Sequence, residues 1–443
     1  MTKVYTFDTA MLYRIYLLFL SLSIISCAIS VSLSQLFLVI SFCLFLFLPE
    51  KPNFRSPLVL IIVCFYSWQF VTLIFHFFES GWNLSVLSRA FKAEMKDIFL
   101  VSAFFCIQGI KKEDQPKLEK VIRIFSYVIL VTGALSVFSE TRLSRLISDL
   151  FKTSASWPYQ HHYGSLAGIN VYLPIGLMNT HLTFGGLISF IFPFYFFQVY
   201  EVWKNKEKLH LRLLYTFCFF ALLFVFLFNN ARSAMLGSFV SITLGLYILI
   251  FKKNEISKKI IGIAFGTGLL LILVLGTAYL QSGAVRKIIK PLFGSEKHTD
   301  SGRTFIWDSS FPLIENNPIF GVGSGSYPEK IEIARKEKSI EHKELSFFYE
   351  VTQRGHAHND YFHLSSVFGL PQAFLYIMLG CFIVYGFADN RFSKQAMYWT
   401  IGLSGFFFSG LLQCYFQDDE VLIVFFYFLG YYHILMDKED LIV

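Results

Sequence analysis

FCFFALLFVFLF, residues 217–228, contains no charge, hydroxyl or amide side chain. A helix on the surface of a soluble protein keeps one polar face. This run has none, so it must meet apolar surroundings on every side. YRIYLLFLSLSIISCAIS (13–30), with one arginine near its start, is also too apolar for one face of a soluble helix, and similar stretches recur along the chain. A bilayer core needs about 20 mostly apolar residues per helix. Composition points the same way: 55% of the 443 residues are hydrophobic, 53 are Phe, and 16% are charged. Soluble domains carry roughly 25% charged residues. Mean hydropathy is +0.54. The chain reads as an all-α polytopic membrane protein.

About twelve spans are expected, at 11–29, 31–48, 57–77, 95–110, 119–138, 182–200, 213–228, 232–251, 260–280, 359–386, 396–416 and 419–436. No cleavage site separates the first run from the second, so a signal peptide is not expected. The connections after even-numbered spans are EKPNFRS, KKEDQPKLEK, EVWKNKEKLHLR, FKKNEISKK and ADNRFSK, all rich in Lys or Arg. FNN (228–230) and QDDE (417–420), on the opposite set, have no basic residue, although 78–94 and 139–181 carry some. Basic loops stay in the cytoplasm, so both termini are expected there. The net charge of +7 follows from these loops and gives no sign of nucleic-acid binding. The seven cysteines are scattered without a CxxC pair and read as core residues.

That orientation divides the chain into 1–280 (nine spans with an external segment, 139–181), 281–358 (a large external loop) and 359–443 (three spans). In the loop, SGRTFIWDSSFPLIENNP starts with a Ser suited to N-cap a helix and stops at NNP. GVGSGSYP is a glycine-rich turn, and PEKIEIARKEKSIEHKEL opens with Pro and continues with helix formers. A loop this long in a compact fold is usually functional. Within 139–181, RLSRLISDLFK is amphipathic enough to lie on a membrane surface.

Three positions combine under this topology. Arg232, in FNNARSAML, stands where one apolar run ends at the outer face and another begins. Charge at that depth is costly and marks function; the plainer reading is an arginine reaching for headgroups. Arg303, in SGRTFIW, opens the first external helix, where an ordinary solvated arginine would also fit. His358 lies in RGHAHNDYFH (354–363), among Arg354, His356, Asn359, Asp360 and His363. Side chains at i and i+2 in HAH meet on a strand but diverge on a helix, so no metal is expected there. A neutral imidazole can take a proton from a hydroxyl, with Asp360 or a carbonyl orienting the ring. Two guanidinium groups suit a diphosphate, which they bind through bidentate, charge-assisted hydrogen bonds. A lipid diphosphate leaves readily when cations hold its developing charge. The chemistry implied is transfer of a glycosyl group from a lipid diphosphate to a hydroxyl, with no cofactor. Arg354, His356, Asn359, Asp360 and Trp307 are candidate substrate contacts by position.

R-x-x-x-W (303–307), ENNPIFGVGSGSYP (315–328) and HND followed by an apolar span with Gly369 resemble the external-loop pattern of the bacterial O-antigen ligase and polymerase superfamily. The ligases usually carry Gly, Thr or Tyr three residues after that glycine; here it is Gln372. The resemblance implies a GT-C-like fold of twelve helices in the bacterial inner membrane, with the loop and active site facing the periplasm. It implies an O-antigen ligase that moves glycan from undecaprenyl diphosphate to a sugar hydroxyl of lipid A–core, inverting the anomeric centre without a metal. Arg232 and Arg303 match the arginines that grip the donor diphosphate, and His358 matches the base.

An O-antigen polymerase would share the donor and differ in the acceptor. The related protein O-oligosaccharyltransferases are expected to be longer at the C-terminus than a chain ending at Val443. A lipid-linked sugar transporter would favour ionisable residues at mid-bilayer and pseudo-symmetric halves. Here the ionisable residues gather at one face, with no internal repeat.

Overall fold

The computed structural model describes residues 9–49, 54–145, 159–166, 168–252, 297–352, 355–389 and 392–436. The described residues fold as helices with one short hairpin. In order these are α1 Thr9–Ser26, α2 Val31–Phe45, α3 Pro57–Glu79, α4 Leu84–Lys92, α5 Ser102–Gln108 and α6 Gln115–Val137. The hairpin β1 His162–Leu166 and β2 Ile169–Tyr172 follows, then α7 His181–Lys204, α8 Leu209–Asn229 and α9 Arg232–Tyr247. Next come α10 Lys297–Asn316, α11 Tyr327–Glu341 and α12 Ser346–Val351. The chain continues through α13 Asp360–Phe368, α14 Leu370–Ala388, α15 Lys394–Thr400, α16 Gly402–Ser409 and α17 Asp419–Met436.

Among the described residues, eight helices are long and apolar enough to cross a membrane, as an all-α polytopic membrane protein requires. α2 and the 98–108 stretch are apolar but shorter. The expected span 260–280 lies outside the described residues, as does most of the amphipathic stretch 142–152. α7 and α17 form the centre, with 78% and 72% of their apolar windows buried inside the molecule, against 33% for α8. α8 instead exposes Leu213, Phe217 and Phe220 along one stripe, a surface that suits lipid tails.

Two expected spans are broken. The 359–386 stretch splits at Gly369 (φ +84°), and Pro371 starts the new helix where its missing N–H costs nothing. The segment 318–323 wedges into this break. Leu370 N donates to Pro318 O (2.8 Å), Val322 N to Ser366 O (2.8 Å) and Gly323 N to Val367 O (3.0 Å). A side chain on Gly369 would collide with the Ile319 carbonyl. The 396–416 stretch forms only α15 and α16, and the chain then leaves helical geometry at 410–418, apart from a 3-10 turn at Tyr415–Gln417. That turn becomes the frame of the site.

α9 and α16 meet backbone to backbone. A side chain on Gly237 would run into the Gly405 carbonyl and Ser409 Oγ, and one on Gly405 into the Gly237 carbonyl. Ser241 and Ser404 hydroxyls pair beside this crossing (3.2 Å). Small residues permit such close approach where lipid supplies no hydrophobic drive between helices.

The cysteines are all free. Cys27, Cys106, Cys218 and Cys414 are buried, as core residues should be, but Cys43, Cys64 and Cys381 are exposed on apolar helices. The antiparallel hairpin, absent from the sequence reading, is tied down by Tyr163, whose hydroxyl donates to Phe228 O (3.0 Å) at the end of α8.

Candidate active site

The end of α8 sets the position of Arg232. Asn229, wholly buried, donates through Nδ2 to Pro174 O (2.8 Å) and His181 O (2.9 Å). Asn230 then takes the left-handed conformation (φ +56°), one of four non-glycine residues to do so among the described residues. Asn tolerates this geometry better than most residues. The reversal makes Arg232 the first residue of α9, half-buried beside Ser233. The hydroxyls of Ser233 and Tyr415 lie 3.1 Å apart, and Tyr415 also donates to Leu182 O (3.1 Å).

Arg303 and Trp307 share one face of α10, a turn apart. Arg303 is half-buried and is an electrostatic neighbour of His358, His181 and Tyr415. The indole N–H of Trp307 donates to Ala357 O (2.9 Å), and its ring stacks on Phe362 with centroids 6.0 Å apart. Trp307 thus holds the backbone of the HAH segment.

His358 is another of the left-handed residues, at φ +51°. Its Nδ1 lies 3.0 Å from Gln413 Oε1. With Oε1 facing the ring, this contact fits the tautomer that carries the proton on Nδ1 and the lone pair on Nε2. The backbone N–H of His358 donates to His356 Nδ1 (3.3 Å), with the two rings edge to face at 4.5 Å. Burial lowers the pKa of His358, Gln413 pulls it up, and the Arg303 charge lowers it further, leaving it below the ordinary 6.5. His356 is driven to about 3, by burial first and then by His358 and His363. Both rings are therefore neutral at pH 7.

The remaining candidates serve the framework. Asn359 caps α13, accepting from Phe362 N (3.0 Å), and its Nδ2 donates to Leu411 O (2.9 Å). Asp360, 1% exposed, accepts from Phe416 N (3.0 Å) and Tyr376 OH (3.1 Å). It does not orient His358; the carbonyl of Gln413 takes that place. His363 turns towards Glu94 (3.6 Å) and packs its ring on Tyr327. Arg354 lies outside the described residues.

The glycine-rich turn is not a phosphate cradle. Its amides are committed: Val322 and Gly323 to α13, and Gly325 to the Glu94 carboxylate (2.7 Å). Arg335, missed in the sequence, is wholly buried, and its Nη2 donates to the carbonyls of Phe348 (3.4 Å), Tyr349 (3.1 Å) and Thr352 (2.9 Å) and to the Thr352 hydroxyl. Three carboxylates, Asp418, Asp419 and Glu420, come together near the start of α17. Each has a partner: Asp418 accepts from Thr183 Oγ1 (2.6 Å), Asp419 from Gln35 Nε2 (3.1 Å), and Glu420 shares a side-chain hydrogen bond with Asp418. Negative charge is favoured at a helix N-terminus.

Gln413, Tyr415 and Ser233 were also absent from the sequence reading. The only local signal was a polar Gln interrupting an apolar stretch. Together the geometry gathers Arg303, His358 and the start of α9 around one turn. Such a site can hold an anion and deprotonate a hydroxyl. Residues 217–377 match the family model described as O-antigen ligase, which supports the superfamily that the motifs resemble. No curated protein matches the chain.

Proposed function

We propose that this chain, a multi-pass membrane protein carrying the O-antigen ligase family over residues 217–377, is itself a ligase. It transfers O-antigen glycan from undecaprenyl diphosphate to a sugar hydroxyl of lipid A–core. Arg232 and Arg303 hold the donor diphosphate. His358 Nε2 takes the proton of the acceptor hydroxyl, whose oxygen attacks the anomeric carbon. The bond from that carbon to the diphosphate oxygen breaks, and undecaprenyl diphosphate leaves with its negative charge held by the two guanidinium groups. A single displacement from the opposite face inverts the anomeric centre. In this reading the two arginines do the work of a metal. The site faces the periplasm and both termini the cytoplasm, consistent with the Lys- and Arg-rich connections at the other end of the bundle.

The observation that carries the reading is the meeting of a neutral, oriented imidazole with the Arg303 charge, beside the turn that touches the start of α9. Deleting the gene and analysing envelope glycans tests it. Uncapped lipid A–core with accumulated polymeric lipid-linked glycan is expected. Core capped with a single repeat unit would instead identify a polymerase, and unchanged glycans would end the proposal.

A further inference from the structure

Beyond the contact of Gln413 with the ring, the 410–418 turn is bound closely to the segment that carries His358. Asn359 N donates to Cys414 Sγ (3.2 Å), Asn359 Nδ2 to Leu411 O (2.9 Å), Asp360 N to Gly410 O (2.7 Å) and Phe416 N to Asp360 Oδ1 (3.0 Å). These bonds bind the turn to the two residues that follow His358. Gln413 stands in the middle of them, 6% exposed. Its amide oxygen is thereby held at a fixed place relative to the imidazole. A left-handed backbone at His358 is a strained arrangement that the surroundings must over-determine. The ring would otherwise be free to choose which nitrogen carries the proton.

We propose that Gln413 is a positioning residue for the transfer reaction: its Oε1 accepts the Nδ1–H of His358 and so presents Nε2 as the basic nitrogen. This rests on the reading of His358 as the base. The other tautomer would set the Nδ1 lone pair against the amide oxygen. The groups facing His358 are His356 on its own segment, Arg303 from α10, and Gln413 and Cys414 from the turn. The turn also reaches α9 through Tyr415 and Ser233, so one segment gauges both the base and the helix that starts with Arg232.

The test is the pH dependence of glycan transfer by the full-length protein in lipid nanodiscs, with His358→Ala, Gln413→Leu and Gln413→Glu. His358→Ala is expected to be inactive. Gln413→Leu should lower kcat roughly 10- to 100-fold with donor KM unchanged, as expected when a base loses its orienting hydrogen bond. Gln413→Glu accepts but cannot donate. It should keep transfer at alkaline pH, while its carboxylate stabilises imidazolium and moves the acid limb up by about one unit or more. A purely structural residue would not move that limb. If His358→Ala is inactive but the Gln413 variants keep the wild-type rate and limb, the positioning role is overturned and the base reading stands. If Gln413→Glu is inactive at every pH while folded, the amide donates rather than accepts, and the proposal also fails. An active His358→Ala removes the base reading, and this inference with it. Should Gln413→Leu fail to fold, the nearly isosteric Gln413→Glu still decides the matter by its acid limb.

Discussion

Trp307→Phe isolates one hydrogen bond. The Trp307 indole N–H meets the carbonyl of Ala357, a residue with no exposed surface, at 2.9 Å. Phenylalanine keeps an aromatic face for Phe362 but leaves that carbonyl without the indole. A buried acceptor losing its partner costs about 1–3 kcal/mol. The left-handed backbone of the next residue, His358, stores strain of the same order, about 1–3 kcal/mol. The bond is therefore large enough to decide whether the HAH segment holds its catalytic conformation. If its loss falls wholly on that conformation, kcat/KM drops by roughly 5- to 150-fold, at 1.4 kcal/mol per factor of ten. Trp307→Ala also loses the ring contact with Phe362 and should fall further, by about 0.5–1.5 kcal/mol. The assay is transfer from a purified lipid-linked donor in nanodiscs, with thermal stability measured alongside. A Trp307→Phe enzyme within about twofold of wild type, on a scale where each factor of ten is 1.4 kcal/mol, would show that the segment does not depend on this bond.

Arg303→Lys keeps the charge but loses the planar fork, so the protein should insert normally yet lose most transfer; wild-type ligation would remove the diphosphate clamp. His358→Ala should abolish transfer and leave donor binding intact, as read by labelled-donor binding in nanodiscs. Because the pKa of His358 lies below 6.5, wild-type activity should hold through neutral pH and fall only as acid protonates the ring below that value; an acid limb above 6.5 contradicts the burial and Arg303 effects. Gly237→Leu places a side chain against the Gly405 backbone and should lower the melting temperature of the detergent-solubilised protein by several degrees or abolish a monodisperse peak, overpacking costing about 1–3 kcal/mol. An unchanged melting curve would mean that the two helices can separate freely.

The long spans were legible because lipid demands long apolar runs, and eight helices among the described residues are long and apolar enough to cross; the expected spans 31–48 and 95–110 hold only shorter helices. Where the runs broke, the reasons were long-range. Gly369 followed by Pro371 hints at a kink, but the wedge of residues 318–323 that fills it lies some fifty residues away in sequence. Asn359 is readable as a helix cap from its place before an apolar stretch, and position alone also makes it and Asp360 candidate substrate contacts. The partners that absorb both side chains, Leu411, Phe416 and Tyr376, come from elsewhere in the chain. Gln413 sat inside a presumed span, and only the non-helical course of 410–418 turns it towards His358. The hairpin escaped notice because its strands, five and four residues long, leave too few positions for an alternating pattern to stand out.

The contact between Gly237 and Gly405 leaves no slack along the two axes it joins. One axis begins with Arg232; the other runs into the segment bearing Gln413 and, through it, His358. Neither can slide past the other without driving atoms into a peptide group. This half of the candidate site is therefore an anvil of fixed gauge. The layer of α10 to α12 meets it through the bond from Trp307 to the carbonyl of Ala357.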